Sequence, residues 1–236
     1  MTALLAGATG LIGREVARHW TGPGPLHLLV RKARTARTAP QADAPLLREH
    51  VVDFGALPPL PSAQMAFCCL GTTIKVAGSQ AAFRAVDFDA VLHFARAAQR
   101  AGVRRFGVVS ALGASAKSSS FYNRVKGEME DELQRIGFAT LVIARPSLLA
   151  GDRASLGQPQ RIGERITLAV TGPLAAFIPK AWRPIQAAVV ARALLRAVGD
   201  SAKGANGANG ANGGGGAGGA ASVQILESAA LQDLGA

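Results

Sequence analysis

Cysteine is scarce in this 236-residue chain: it has two, Cys68 and Cys69, and they are adjacent. Neighbouring strand residues point to opposite faces, so an ordinary disulfide between them is disfavoured, and two small buried apolar side chains are the simpler reading. Metal-ligand spacing is lacking too. The four histidines, His19, His27, His50 and His93, are scattered without an HxxxH pair, and no metal is expected. No uninterrupted apolar run reaches bilayer length. The start lacks a basic segment, and glycines break its apolar stretch, so it does not read as a signal peptide. A cytoplasmic protein that keeps off membranes is the expectation. Aromatic residues make up 5% of the chain, so the formal net charge of +11 comes without interleaved aromatic platforms for nucleic acid. A small phosphorylated ligand is an equally good reason for basic residues. Oligomeric state is not readable.

The chain does have alternation. Apolar residues make up 49% of it, enough for a large domain with a core. Leu4 to Ala6 reads as a strand and Leu11 to His19 as a helix. Strands follow at 26–30, 48–52, 65–70, 105–110 and 139–145, with helices at 80–101 and 121–136 between them. Apolar strands buried on both faces and alternating with helices predict an α/β protein with a doubly wound parallel sheet. Residues 204–221, rich in glycine, alanine and asparagine, have no side chains to build a core, and a flexible surface insert is predicted there. "SVQIL" (222–226) then resumes strand character and "ESAALQDL" (227–234) helical character, so one domain spans 1–236.

The first strand runs straight into Gly7, Gly10 and Gly13, which open a helix. In such a unit one glycine permits the tight turn, one admits a pyrophosphate to the backbone, and one lets helix and sheet pack closely. The helix N-terminus then offers free N–H groups and partial positive charge. The context predicts a nucleotide cradle made by Gly7, Thr9, Gly10, Leu11, Ile12 and Gly13.

The GxxGxxG spacing, "YNRVK" (122–126), Ser110 at a strand end, "CLGTT" (69–73) and "ARPSLLAGDR" (144–153) together resemble the atypical short-chain dehydrogenase/reductases. The stretches from "CCLGTT" through "YNRVKGEMEDEL" look like the Tat-interacting-protein branch of that family. The resemblance covers nearly the whole chain apart from the glycine-rich insert. It implies a Rossmann fold and a nicotinamide cofactor. It also implies that Leu70 and Gly71 line the adenine ribose, that Thr72 beside them belongs to the cofactor-binding set, and that Pro146 lies by the nicotinamide.

Cofactor choice is read at the second strand end. NAD-preferring sites carry a carboxylate there for the ribose 2′-OH. This chain has Arg31 and Lys32, with Arg34 and Arg37 beyond, and no acidic residue between Glu15 and Asp43. Guanidinium grips a 2′-phosphate that a carboxylate would repel, so NADP(H) is preferred over NAD(H). Asp53, just after the third strand, is placed to accept from the adenine amino group.

Tyr122, the sole tyrosine, stands four residues before Lys126, one turn away on the same helix face. A free phenol has a pKa of about 10, and a nearby ammonium stabilises its phenolate. The expected catalytic set is Tyr122 as proton donor to a carbonyl oxygen, Lys126 as its tuner and ribose holder, and Ser110 as orienter of the substrate oxygen. Three alternatives stand beside it. One is a helix in which Tyr122 packs and Lys126 is solvated. One is a cofactor-binding sensor with little turnover. The third is a nucleic-acid binder, suggested only by net charge. Residues 147–186, with Leu148, Leu149, Leu168, Phe177, Ile178 and Trp182 interrupted by prolines, predict a small helical cap over the site for a small-molecule substrate.

Overall fold

Ala3, Leu4, Leu5 and Ala6 form β1, and all four are buried, because helices cover the sheet on both sides. Ala3 and Leu5 face one apolar cluster and Leu4 and Ala6 the other, the period of two that a strand imposes. The computed structural model describes residues 1–33, 46–150, 179–207 and 221–236. After β1 come α1 (Leu11–Arg18), β2 (Leu26–Val30), β3 (Leu47–Val51) and β4 (Met65–Cys68). Two short helices, α2 (Ile74–Ala77) and α3 (Gln80–Arg84), follow, and a π-helical turn (Ala85–Asp89) carries α3 into α4 (Ala90–Arg100). Next are β5 (Arg105–Val109), α5 (Phe121–Ile136), β6 (Thr140–Arg145) and β7 (Leu149–Ala150). The order closes with β8 (Ile185–Gln186), α6 (Ala187–Gly207), β9 (Ser222–Glu227) and α7 (Ser228–Gly235).

Seven strands make one sheet in the order β3-β2-β1-β4-β5-β6-β9, every neighbouring pair parallel. The core on one face comes from α1, α6 and α7, and on the other from α4 and α5 with Val52 and Phe54. This is the doubly wound Rossmann arrangement. Its strand order reverses between β1 and β4, and ligands bind outside the carboxyl edge at such a reversal. Arg145 ties the last strand in: it lies 2.5 Å from the buried Glu130 of α5 and 3.0 Å from Glu227 of β9.

Several boundaries differ from the expected ones. β4 ends at Cys68 and β5 at Val109, since Cys69, Leu70 and Ser110 already turn into the carboxyl-edge loops. The helix expected over 80–101 contains the π turn. α6 continues to Gly207, four residues into the glycine-rich stretch, because an alanine- and leucine-rich helix can absorb an isolated glycine at about 1 kcal/mol. Residues 208–220 of the expected insert and 151–178 of the expected cap lie outside the described residues. Of the cap, β7 and β8 form a two-stranded parallel ladder, and Ser147 Oγ donates to Arg183 O at 2.5 Å. Two histidines that look scattered meet across the β2–β3 register. His27 Nδ1 and His50 Nε2 are 2.7 Å apart, and burial, then His50 and Arg48, lowers the His27 pKa. Among the described residues, no helix is long and apolar enough to cross a membrane.

Candidate active site

The glycine turn divides its labour. Gly7 has φ +84°, and a Cβ there would lie 2.4 Å from the Cys69 carbonyl, so the residue serves both the left-handed turn and the close passage of β1 by the β4 loop. A Cβ on Gly13 would lie 2.1 Å from Gly7 O, because α1 rests directly on the turn. Gly10 is different. The nearest atoms to a Cβ there are Gly7 O at 3.4 Å and Cys69 O at 4.0 Å, ordinary contacts, so the protein's own packing does not demand glycine at this position. Gly10 is also the N-cap of α1, with no side chain capping it, and the first intrahelical bond is Arg14 N–H to Gly10 O at 3.0 Å. The N–H groups of Leu11, Ile12 and Gly13 are thereby left for an outside acceptor. Those helix-start N–H groups fit a pyrophosphate.

The other expected cofactor residues share the carboxyl edge because the strands are parallel. Arg31 and Lys32 follow β2 and are exposed; Arg34 and Arg37 lie outside the described residues. Asp53 follows β3, exposed, with Oδ1 accepting from Gly55 N–H at 2.8 Å. Leu70, Gly71 and Thr72 follow β4 beside the glycine turn, and exposed Thr9 lies in that turn. Buried Pro146 follows β6, and its carbonyl accepts from Leu112 N–H at 3.0 Å.

Tyr122 and Lys126 lie on the first turns of α5. The Tyr122 ring packs on Phe83 at 5.4 Å between centroids. Lys126 is not solvated: it is 3% exposed, and Nζ lies 2.8 Å from Asp87 Oδ1, itself on a side chain 1% exposed. Asp87 Oδ2 accepts from Thr72 N–H at 2.8 Å. A Cβ on Gly71 would sit 3.9 Å from Lys126 Nζ, so the β4 loop and the lysine are neighbours. Burial works against the Lys126 ammonium, and Asp87, with Tyr122, outweighs it, so the lysine pKa lies above its ordinary value. Ser110, 5% exposed, has a buried hydroxyl with no hydrogen-bond partner among the described residues. The structure thus joins Lys126, Tyr122 and the β4 loop into one cluster, and leaves the Ser110 hydroxyl free of both side chains.

Residues 7–166 match the NAD(P)H-binding family. The chain belongs to that family. Protein HTATIP2 of Rattus norvegicus is 31% identical over 201 residues, covering 82% of this chain and 79% of that one. A mitochondrial fmp52 protein of Aspergillus clavatus is 31% identical over 202 residues, covering 82% and 85%. The chain is an atypical short-chain dehydrogenase/reductase of the HTATIP2 branch. Solved structures share the fold: MoeE5 in complex with UDP-glucose and NAD (TM-score 0.61, 17% identity, 84% of this chain and 72% of that one). The UDP-Glc/GlcNAc 4-epimerase of Campylobacter jejuni superposes with a TM-score of 0.66 at 12% identity, covering 98% and 82%.

Two residues of this short-chain dehydrogenase/reductase escape motif reading. Asp87 is one. Its signal is an acidic residue four after Phe83 and four before Val91, on the buried stripe of the 80–101 helix, and all three are 0% exposed. Gly127 is the other. A Cβ there would lie 2.1 Å from Ala116 N and Ser115 C, so only glycine lets the loop between Ser110 and Ser120 cross α5 beside Lys126.

Proposed function

We propose that this oxidoreductase uses NADP(H) to reduce a carbonyl group of a small molecule, with Tyr122 as the proton donor. The observation that carries the reading is the buried, charged Lys126 held one turn from Tyr122 against the β4 loop. A surface lysine gains nothing from such burial; a lysine that stabilises a developing phenolate does. Tyr122 Oη gives its proton to the carbonyl oxygen. Ser110, whose hydroxyl has no internal partner, donates to the same oxygen and orients it. Lys126 stabilises the phenolate that remains and holds the nicotinamide ribose.

The bound dinucleotide supplies the hydride. Gly7, Thr9, Gly10, Leu11, Ile12 and Gly13 form its pyrophosphate cradle, and Arg31 and Lys32 take the 2′-phosphate. Asp53 takes the adenine amino group, Leu70 and Gly71 line the adenine ribose with Thr72 beside them in the cofactor site, and Pro146 lies by the nicotinamide. The cytoplasm is the proposed compartment, although the fungal relatives carry mitochondrial names; cell fractionation decides between the two.

A panel of aldehydes, ketones and quinones with NADPH, followed at the nicotinamide absorbance, tests the activity. Turnover of at least one compound is expected, and NADPH that binds without turnover on any of them points to a sensor instead. Calorimetry tests the cofactor. Arg31→Ala is expected to weaken NADPH by about tenfold or more, the loss of a charge-assisted contact, and to leave NADH unchanged. Equal affinity of the parent for both cofactors would remove the 2′-phosphate assignment.

A further inference from the structure

Large apolar side chains left in water concentrate on the loops at one edge of the sheet. Among the described residues eight are exposed, and four of them are Ile74, Val76, Leu148 and Trp182. Ile74 and Val76 belong to α2, on the segment that leaves the carboxyl end of β4. Leu148 and Trp182 belong to the segments that follow β6. β4 and β6 flank β5 in the sheet, and Ser110 follows β5. The four residues thus lie on the loops that border the proposed position of the substrate carbonyl. Trp182 is 68% exposed and Val76 58%. We propose that these residues form an apolar rim that selects a carbonyl compound carrying an extended apolar arm, of the class of the long-chain aliphatic aldehydes and ketones.

Hydrogen bonds fix the segments that carry the rim. Ser110 N–H donates to Ala144 O at 2.7 Å and Leu112 N–H to Pro146 O at 3.0 Å, so the Ser110 loop runs beside the end of β6. One residue further on, Ser147 Oγ donates to Arg183 O at 2.5 Å, and Ile185 N–H donates to Leu148 O at 3.0 Å. Trp182, next to Arg183, is thereby held at the β6 loop. The 3₁₀ turn that carries it, Lys180–Trp182, is tied to α7 as well: Gln232 donates to Lys180 O at 2.8 Å, and Lys180 Nζ pairs with Asp233. On the β4 side Thr73 caps α2, its Oγ1 accepting from Val76 N–H at 3.1 Å, and Gly78 ends the helix with φ +86°. Single exposed apolar residues are ordinary on a surface, but four that border one site mark a binding edge. Segments already anchored need little ordering when a ligand covers them, so an apolar arm laid on them keeps most of the gain from burial. The arm takes no part in bond making. Hydride and proton go to the carbonyl as in the reductase reading.

The inference rests on the proposed reductase reading, but one of its two tests is independent of turnover. In the first, kcat/KM with NADPH is measured over the straight-chain aldehydes from propanal to decanal. It is expected to rise about twofold to fourfold per added methylene, about fourfold being the value for a methylene fully removed from water. Trp182→Ser and Leu148→Ser are expected to flatten that rise, the loss growing along the series to about tenfold or more at decanal. Ile225→Ser, which alters an exposed apolar residue of the edge strand β9, is expected to keep it. Turnover that ignores chain length overturns the proposal, and so does a rise that Trp182→Ser and Leu148→Ser both leave intact.

The second test reads tryptophan emission. Trp20 packs on Phe67 and donates to Gly24 O, whereas Trp182 stands in water. Decanamide, an inert carbonyl compound, is added to the full chain loaded with NADP⁺. It is expected to shift the emission to the blue and to protect it from quenching by acrylamide, while acetamide does neither. Trp182→Phe is expected to abolish the shift. Emission that decanamide leaves unchanged, or a shift that survives in Trp182→Phe, overturns the rim. A shift in a chain that reduces no aldehyde defeats the reductase reading alone and leaves the rim standing.

Discussion

Tyr122→Phe is expected to yield a folded protein that binds NADPH as the parent does and reduces its carbonyl substrate 10²–10⁴-fold more slowly, the range for loss of a general acid. The ring that packs on Phe83 stays, and one hydroxyl goes. Thermal melting should therefore move little, and calorimetric affinity for NADPH should hold. Lys126→Met is a different experiment. It strands the Asp87 carboxylate in a buried site, and removing one partner of a buried ion pair costs about 3–5 kcal/mol. Stability, cofactor affinity and rate are expected to fall together in that variant, so it cannot isolate the lysine's part in proton transfer. The clean comparison is Tyr122→Phe against the parent. If both turn over a carbonyl equally fast, Tyr122 is not the acid, whatever holds the cofactor.

The sheet and the glycine turn that opens α1 are legible because their signals are local. A buried strand followed by glycines at Gly7, Gly10 and Gly13 carries its geometry in a dozen residues, and the Tyr122–Lys126 spacing is one helical turn. Asp87 was not legible for the opposite reason. Its partners, Thr72 and Lys126, are 15 positions before it and far along the chain on α5, and only the stacking of the π turn against that helix joins them. The His27–His50 contact is hidden in the same way, since it depends on the β2–β3 register. The overrun of α6 to Gly207 shows a third limit. Composition marks where a core cannot form, while a helix end is set by how far the preceding turns can carry it.

The cradle gives the second large effect, and it separates two glycines that look alike in sequence. Gly10→Val is expected to leave the fold standing and to cost at least about a hundredfold in NADPH affinity. The backbone at Gly10 has φ −80° and ψ 169°, which valine adopts readily, and the nearest protein atom to its Cβ is 3.4 Å away. The branched side chain then fills the space over the helix N-terminus, where two or more charge-assisted bonds to the pyrophosphate, each about 1.5–3 kcal/mol, would form. Gly13→Val is expected to fail earlier. Its Cβ meets Gly7 O at 2.1 Å, a backbone atom that can yield only if the turn itself moves. Overpacking of this kind costs about 1–3 kcal/mol, so the melting temperature should drop before any cofactor is added. Calorimetry and melting curves on the two variants check the contrast. A stable Gly10→Val protein that still binds NADPH tightly would move the pyrophosphate away from α1 and leave this stretch as only a tight turn.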